Sequence, residues 1–259
     1  MHINVHILLN FIFKNFLTLK GYMILYNTSN YFVKIGIICI IVFRNNIHYT
    51  FTVMDIMCNK DNTKCVKTMF ETKRLLIRPY VPKDANVLLE TIGKYEIYKT
   101  TYGIPYPCDI KYSKKWIKNV INNALENRAY EYAVIRKIDG RYIGNVGLIN
   151  IDFANHKCDI SYFVDPIYWG NGIATEASAQ LIEYAFNVLN MNRVGGTCME
   201  HNIASSRVME KLLMSYEGTA RGYFIKDNEY VNLKIYSIMK NEFYKYYNES
   251  RENVHNMIL

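Results

Sequence analysis

Six consecutive residues, Trp169-Gly170-Asn171-Gly172-Ile173-Ala174, have the make-up of a ligand-holding turn. Without β-carbons at Gly170 and Gly172, the backbone there can approach a ligand closely. The residues that follow read as a helix, whose N-terminus presents unpaired N–H groups with partial positive charge. That combination suits a phosphate or pyrophosphate. A Gly-x-Gly pair before a helix is nevertheless structural more often than ligand-binding. It is not the dinucleotide fingerprint, because the third glycine is missing, nor a P-loop, because no Gly-Lys-Ser/Thr follows. Further polar groups lie nearby in sequence: Tyr162 ahead of the turn, Glu200 and His201 at the end of a later strand, then Asn202 and Ser205 opening a helix. Read locally, Asn202 is a good N-cap and Ser205 sits in a first turn where serine is common.

The elements that must position these residues are legible from residue 69 onward. Residues 72–80 predict a strand ended by Pro82, and Asp84 is expected to cap a short helix to about Ile92. Ser113 is expected to begin a second helix, with Trp116, Ile117, Val120, Ile121, Ala124 and Leu125 on one face. Tyr130 to Arg136 predicts a strand, Asp139-Gly140 a tight hairpin, and 141–151 and 158–164 two more strands of an antiparallel meander. After the glycine turn come a helix striped by Ile173, Ala174, Ala177, Leu181, Ile182, Ala185, Phe186 and Leu189, a strand over 193–199, and a helix from Asn202 to about Leu213. Strands over 216–225 and 230–239, joined at Lys226-Asp227-Asn228, close the pattern. This order is α+β with one mixed sheet, not a doubly wound parallel one.

The quoted turn in "YWGNGIATEA", followed by "NRVGGTCMEHNIASSRVMEKL", closely resembles the acyl-CoA-binding core of the GNAT superfamily of N-acetyltransferases. The nearest branch is that of the ribosomal-protein serine/alanine N-acetyltransferases, in which Trp at position 169 is typical. The resemblance extends through "MFETKRLLIRPYVPKDA", "IGNVGLINID…DISYFVDP" and "YEGTARGYFIKDNEYVNLKIYSIMKNEF", and so covers 69–243. It implies a mostly antiparallel sheet of about seven strands flanked by helices. It also implies acetyl-CoA as co-substrate, with its pyrophosphate on the backbone of Trp169, Gly170, Asn171, Gly172, Ile173 and Ala174. Asn202 and Ser205 match the family's Asn-x-x-Ser, the Asn toward the pantetheine and the Ser near the thiol. Tyr162, Phe163 and Val164 are expected at the acyl site, a backbone N–H there facing the oxyanion. Ser205, Tyr236 and Glu200 are the candidate catalytic side chains, although Glu200, Asp152 and Asp159 each have a solvated or structural alternative, and Tyr236 a core-packing one. Two departures stand out: Leu213 occupies the place of a C-cap glycine, and Asn232 that of a common acid.

The implied chemistry is direct transfer of acetyl to an amine. An α-amine of pKa about 7.7–8.0 is roughly a tenth neutral at pH 7, whereas a lysine amine near 10.4 is almost wholly protonated. A protein or peptide N-terminus is therefore the expected acceptor. A small amine (polyamine, amino sugar or antibiotic) is the alternative within the enzyme class, and a non-catalytic acyl-CoA sensor the alternative outside it.

Composition sets the remaining bounds. Half of the 259 residues are apolar and 21% charged, which excludes a disordered chain. The net charge of +8 is uneven: residues 1–68 carry seven Lys/Arg against two Asp/Glu, and the other 191 carry twenty-four against twenty-one. The 69–243 domain thus shows no basic cluster for nucleic acid. Residues 1–68 read as an extension outside the functional protein, as a membrane-associated or presequence element, or as a packed accessory. The uncharged run Ile35–Phe43 is too short to span a bilayer, so membrane association is expected only if this segment is retained and acts. Residues 244–259 read as a polar tail. The six cysteines show neither a disulfide framework nor zinc spacing, so no metal is expected and a reducing, cytoplasmic setting is.

Overall fold

The computed structural model describes residues 22–28, 32–38, 52–54, 56–57 and 68–245. The chain divides into two compact units, Met1–Glu71 and Thr72–Leu259. In the first, Tyr22–Thr28 pairs antiparallel with Phe32–Ile38, which also pairs with Ile56–Met57, and Thr52–Met54 pairs with Thr68–Glu71. The rest of the expected extension, including Cys39, Cys58 and Cys65, lies outside the described residues, as do 246–259 of the expected tail. Among the described residues, no helix is long and apolar enough to cross a membrane.

The second unit is built on seven strands: β1 (Leu75–Pro79), β2 (Tyr130–Arg136), β3 (Tyr142–Asp152), β4 (Lys157–Val164), β5 (Arg193–Met199), β6 (Ser215–Lys226) and β7 (Glu229–Met239). Their order across the sheet is β6-β7-β5-β4-β3-β2-β1. The meander β2-β3-β4 pairs antiparallel, as does β5-β7-β6, and the two halves meet in the single parallel pair β4–β5. A parallel pair needs a crossover. Here it is α4 (Ile173–Asn187), whose Ala177, Leu181, Ile182, Ala185 and Phe186 are buried against β3 and β4. The same face receives α5 (Ile203–Lys211).

On the opposite face lie α1 (Ala85–Ile92), α2 (Tyr95–Thr100) and α3 (Ile110–Leu125). Leu88, Ile92, Ile117 and Val120 of these helices cluster with Tyr80, Ala133 and Ile135, and Trp116 and Phe163 pack onto the cluster. Strand positions alternate between faces, so β2 residues 131, 133 and 135 and β4 residues 161 and 163 address this helix layer.

The strands, α1 and the last two helices fall within a few residues of the expected bounds; the start of α3 differs, and Asp84 sits at the N-cap of α1 without making the expected bond. Asp84 does not cap α1 with its side chain. Its carboxylate turns back to Arg78, with contacts of 2.7 and 2.8 Å, and to the Val81 N–H at 2.9 Å. Ser113 does not open α3: Asp109 accepts from the Tyr112 N–H and starts it three residues earlier. Ser113 is instead buried and donates to the Ala85 carbonyl at 2.6 Å, tying α3 to α1. The helix α2 escapes sequence reading because Ile97 is its only buried residue, too little for a period to show. The chain also continues helical over 240–245, where Phe243 packs 5.4 Å from Phe186.

Leu213 follows the last turn of α5 with φ +61°, the left-handed conformation that glycine adopts freely. A β-carbon there is strained by roughly 1–2 kcal/mol, and glycine's larger unfolded-state entropy offsets part of the relief. Leu213→Gly is expected to raise stability by up to about 1 kcal/mol, or ~2 °C in the thermal midpoint of the full chain. Circular dichroism melts check this, and an unchanged or lower midpoint counts against strain at this cap.

Candidate active site

The glycine turn is assembled from both sides. After β4, Asp165 accepts from the Ile167 N–H at 3.1 Å and starts the short 3-10 turn Pro166–Tyr168. Lys94 Nζ lies 2.7 Å from both Asp165 oxygens, fixing that turn to the α1–α2 side. Trp169 then folds back, and its indole Nε1 donates to the Val164 carbonyl at 2.6 Å. The indole thus braces the exit from β4, and the turn's ligand-facing groups are backbone. Gly170 and Gly172 have φ of +77° and +73°, and Gly170, Asn171 and Gly172 are all exposed. Gly172 is the N-cap of α4 and supplies no side chain to its first-turn N–H groups. Those donors, the helix dipole and an open surface coincide here, as anion binding requires. Ile173 points into the core, and Ala174 is half-buried at the helix start.

A second strap comes from the start of β1. Arg74 Nη1 donates to the Asn171 carbonyl at 2.8 Å, its Nε to Glu176 Oε2 at 2.6 Å, and its backbone N–H to Glu176 Oε1 at 3.1 Å. The Thr72 hydroxyl donates to the same carboxylate. Burial works against ionising Glu176, but these hydrogen bonds and the Arg74 charge outweigh it and hold the carboxyl below its usual range. Sequence analysis did not single out Arg74, Thr72 or Glu176. Nothing in a linear reading links position 74 to the turn at 171, and Glu176 looks like an ordinary acid in a helix's first turn.

The second half of the site is an opening in the sheet. β4 and β5 pair only at Arg193↔Lys157, Val194↔Cys158 and Gly195↔Asp159. Beyond them, Ile160–Val164 and Gly196–Met199 run on without a ladder between them. Because the two strands are parallel, their C-terminal ends lie on one side, and the helix N-termini of α4 and α5 that follow them flank the gap together. Tyr162 leans across it: its hydroxyl lies 2.9 Å from the Ser205 hydroxyl and donates to the Ser205 carbonyl at 3.2 Å. Burial pushes the Tyr162 hydroxyl well above the ordinary tyrosine range, the Ser205 hydrogen bond lowers it, and the Cys198 and Tyr236 groups raise it further. It remains a neutral donor at any working pH.

Asn202 caps α5, accepting from the Ser205 N–H at 3.1 Å, and its amide donates to the Thr100 carbonyl at 3.2 Å. The structure thus brings Tyr162, Asn202 and Ser205 together, with Tyr236 alongside Tyr162. Tyr236 is buried and packs 5.4 Å from the Tyr216 ring. Phe163 turns its ring to the opposite face, 6.4 Å from Trp116, and Val164 is buried. Glu200 is not in this group: it is exposed and accepts from Asn232 Nδ2 at 2.8 Å. Asp152 accepts from Asn155 in the β3–β4 turn, and Asp159 accepts from Asn150 at 2.8 Å.

The strap around Glu176 predicts a pH-dependent effect. Its folded pKa is depressed, so its stabilisation is complete above the unfolded value of about 4.3 and is lost as pH falls through the folded pKa. Glu176→Gln is expected to destabilise the chain by about 1 kcal/mol at pH 7, discounting for solvent screening. That difference should vanish in acid below the carboxylate range. Urea unfolding of both proteins across pH checks it, and a constant difference down to low pH would rule out the charged strap.

Comparison with known proteins places this geometry. Residues 74–215 match the family described as Acetyltransferase (GNAT) domain. A putative ribosomal N-acetyltransferase, YdaF of Bacillus subtilis (strain 168), is 35% identical over 178 residues, covering 66% of this chain and 93% of its own length. A spermidine N(1)-acetyltransferase of Escherichia coli (strain K12) is 22% identical over 156 residues, 60% of this chain and 81% of that protein. Among solved structures, one titled as a probable acetyltransferase superposes with a TM-score of 0.63 at 29% identity, covering 67% of this chain and 98% of that one. The match runs from the Arg74 strap through the glycine turn to the end of α5, and on it this chain belongs to the GNAT acetyltransferase family, as an N-acetyltransferase acting on an amine.

Proposed function

We propose that this protein transfers the acetyl group of acetyl-CoA directly to the α-amine of a protein or peptide N-terminus. The observation that carries the reading is the parting of β4 from β5 between two helix N-termini, with the Tyr162–Ser205 pair reaching across it. In this reading the pyrophosphate lies on the N–H groups of Gly170 through Ala174, with Trp169 bracing the turn. The pantetheine runs between the parted strands past Asn202. The thioester carbonyl meets a backbone N–H in the Tyr162–Val164 stretch, whose donors lack a strand across the gap. Tyr162 and Ser205 supply hydrogen bonds to the sulfur as it leaves. Tyr236 shapes that pocket, and Glu200 stands outside it. The chemistry belongs to residues 69–243, with 1–68 and 244–259 outside it, in a cytoplasmic setting.

The acceptor follows from proton arithmetic and from likeness. An α-amine reaches its neutral form at modest cost near pH 7, and a lysine amine does not. YdaF, a relative at 35% identity, is described as a putative ribosomal N-acetyltransferase. The spermidine enzyme among the relatives marks the competing acceptor class.

Two measurements test this. Gly172→Glu places a charged side chain at a left-handed position in the cradle, and is expected to abolish CoA binding by calorimetry while the fold survives. Retained affinity would move the cofactor elsewhere. Thiol release from acetyl-CoA is expected with a peptide bearing a free N-terminus, and at least tenfold less with spermidine or with an N-terminally blocked, lysine-containing peptide. The reverse order would assign the enzyme to small or side-chain amines.

A further inference from the structure

The mechanism so far has neutral donors on one face of the gap and nothing to take a proton from an incoming ammonium. One carboxylate on the other face has the required placement. Glu131 lies on β2, two residues before Ala133, and so points to the α1–α3 side, opposite to Tyr162 and α5. It pairs across the sheet with Gly147 of β3, which in turn pairs with Ser161 of β4. The three residues form one row leading to the lip of the gap, since β4 leaves β5 just before Ser161.

The row is shaped for the glutamate. A β-carbon at Gly147 would lie 2.6 Å from Glu131 Cγ, so only glycine lets that side chain lie across β3 toward β4. Beside it stands Asn145, buried on the same face, whose Nδ2 is 3.4 Å from Glu131 Oε2. Asn145 Oδ1, also buried, has no hydrogen-bond partner within the described residues. A buried acceptor without a donor is costly, and it stands beside a carboxylate whose one side-chain donor, Asn145 Nδ2, is at a long 3.4 Å. Such a site suits an ammonium group, which has three donors and no acceptor. Glu131 is half-buried, whereas Asn145 is buried behind it.

We propose that Glu131, assisted by Asn145 Oδ1, binds the acceptor's ammonium group and takes its first proton. This rests on the acyl-transfer geometry proposed above. The amine then attacks from the α1–α3 face, while Tyr162 and Ser205 attend the sulfur from the other. The carboxylate gains one proton from R–NH3+, leaving R–NH2. The new N–C bond forms and the C–S bond breaks; the departing thiolate takes a proton from the Ser205–Tyr162 hydroxyl pair on its own face, which is restored from water, and the nitrogen's second proton is released to water. Glu131 finally returns its proton to water.

The electrostatics agree with this placement. Desolvation lifts the Glu131 carboxyl to about 7, the weak Asn145 hydrogen bond acting against it. The groups facing it are Tyr112 from α3, Tyr142 from β3 and Tyr80 after β1, with Asp84 held by Arg78 behind them. Burial holds the three phenols above their ordinary range, so the carboxyl is the group that titrates near neutrality. Proton transfer to it is uphill by about tenfold from an α-amine and by more than a thousandfold from a lysine amine. The site therefore selects α-amines by acidity.

The test compares the full-length parent with Glu131→Gln, using saturating acetyl-CoA and whichever acceptor of the peptide and spermidine panel the parent turns over best. Glu131→Gln is expected to keep CoA affinity and thermal midpoint, to lose about a hundredfold in kcat/KM for the acceptor, and to lose the limb near pH 7 in its pH profile. Activity within threefold of the parent, with the limb retained, overturns the role of Glu131. If the parent prefers spermidine, the α-amine reading fails while the same pH comparison still decides on Glu131. Carboxyl 13C NMR of the parent gives a readout independent of turnover. A Glu131 midpoint near 7 that shifts when the free-N-terminus peptide is added supports the site, and one at the ordinary 4.3 overturns it.

Discussion

The single parallel contact between β4 and β5 governs the molecule. Parallel strands cannot be joined by a tight turn, so α4 must cross over between them, and its N-terminus is delivered to the C-terminal end of β4. The same logic sets α5 at the end of β5. With only three residue pairs holding the two strands together, the sheet opens where both helices begin. Along the opening the strands lack a ladder to each other, and the start of α4 has no side-chain cap, whereas α5 is capped by Asn202. Unpaired backbone donors of this kind are costly in a closed interior, and an open cleft leaves them available to a ligand.

Around that opening, polar chemistry is divided between the faces of the sheet. Tyr162, Ser205 and Tyr236 lie on the α4–α5 side, with the Tyr162 hydroxyl kept protonated by burial. Glu131 and Asn145 lie on the α1–α3 side, where desolvation makes a carboxyl hold its proton near neutrality. Two-residue alternation along β2 and β4 alone enforces this division. A one-residue register slip would exchange the faces of a strand and mix the two sets. The antiparallel registers of β2, β3 and β4, and the glycine at 147 beside the Glu131 side chain, hold the two sets apart.

The glycine turn shows how mobility is limited where backbone freedom is needed. Gly170 and Gly172 supply left-handed conformations that other residues adopt only with strain. The turn is then held by side chains outside it: Trp169 on the Val164 carbonyl, Arg74 on the Asn171 carbonyl, and Glu176 gripped by Arg74 and Thr72. Leu213, left-handed without being glycine, shows the opposite arrangement, in which packing elsewhere carries the strain.

The sequence by itself determined the meander, the crossover helix, the closing hairpin and the cradle, because each is written in a local code: period-two alternation, a 3.6-residue stripe, Asp-Gly and Gly-x-Gly. Its motifs also sufficed to name the family. It placed the start of α1 at Asp84 but not the start of α3, and it could not foresee that Asp84 and Ser113 spend their side chains on Arg78 and Ala85 instead of capping. Nor did it show which way Glu200 faces: the fold turns it toward Asn232. The Arg74–Glu176 strap, the Tyr162–Ser205 contact and the Glu131–Asn145 pair were decided only by tertiary structure. Each joins residues on different elements, and strand order, register and face set such distances, none of which is encoded in spacing along the chain.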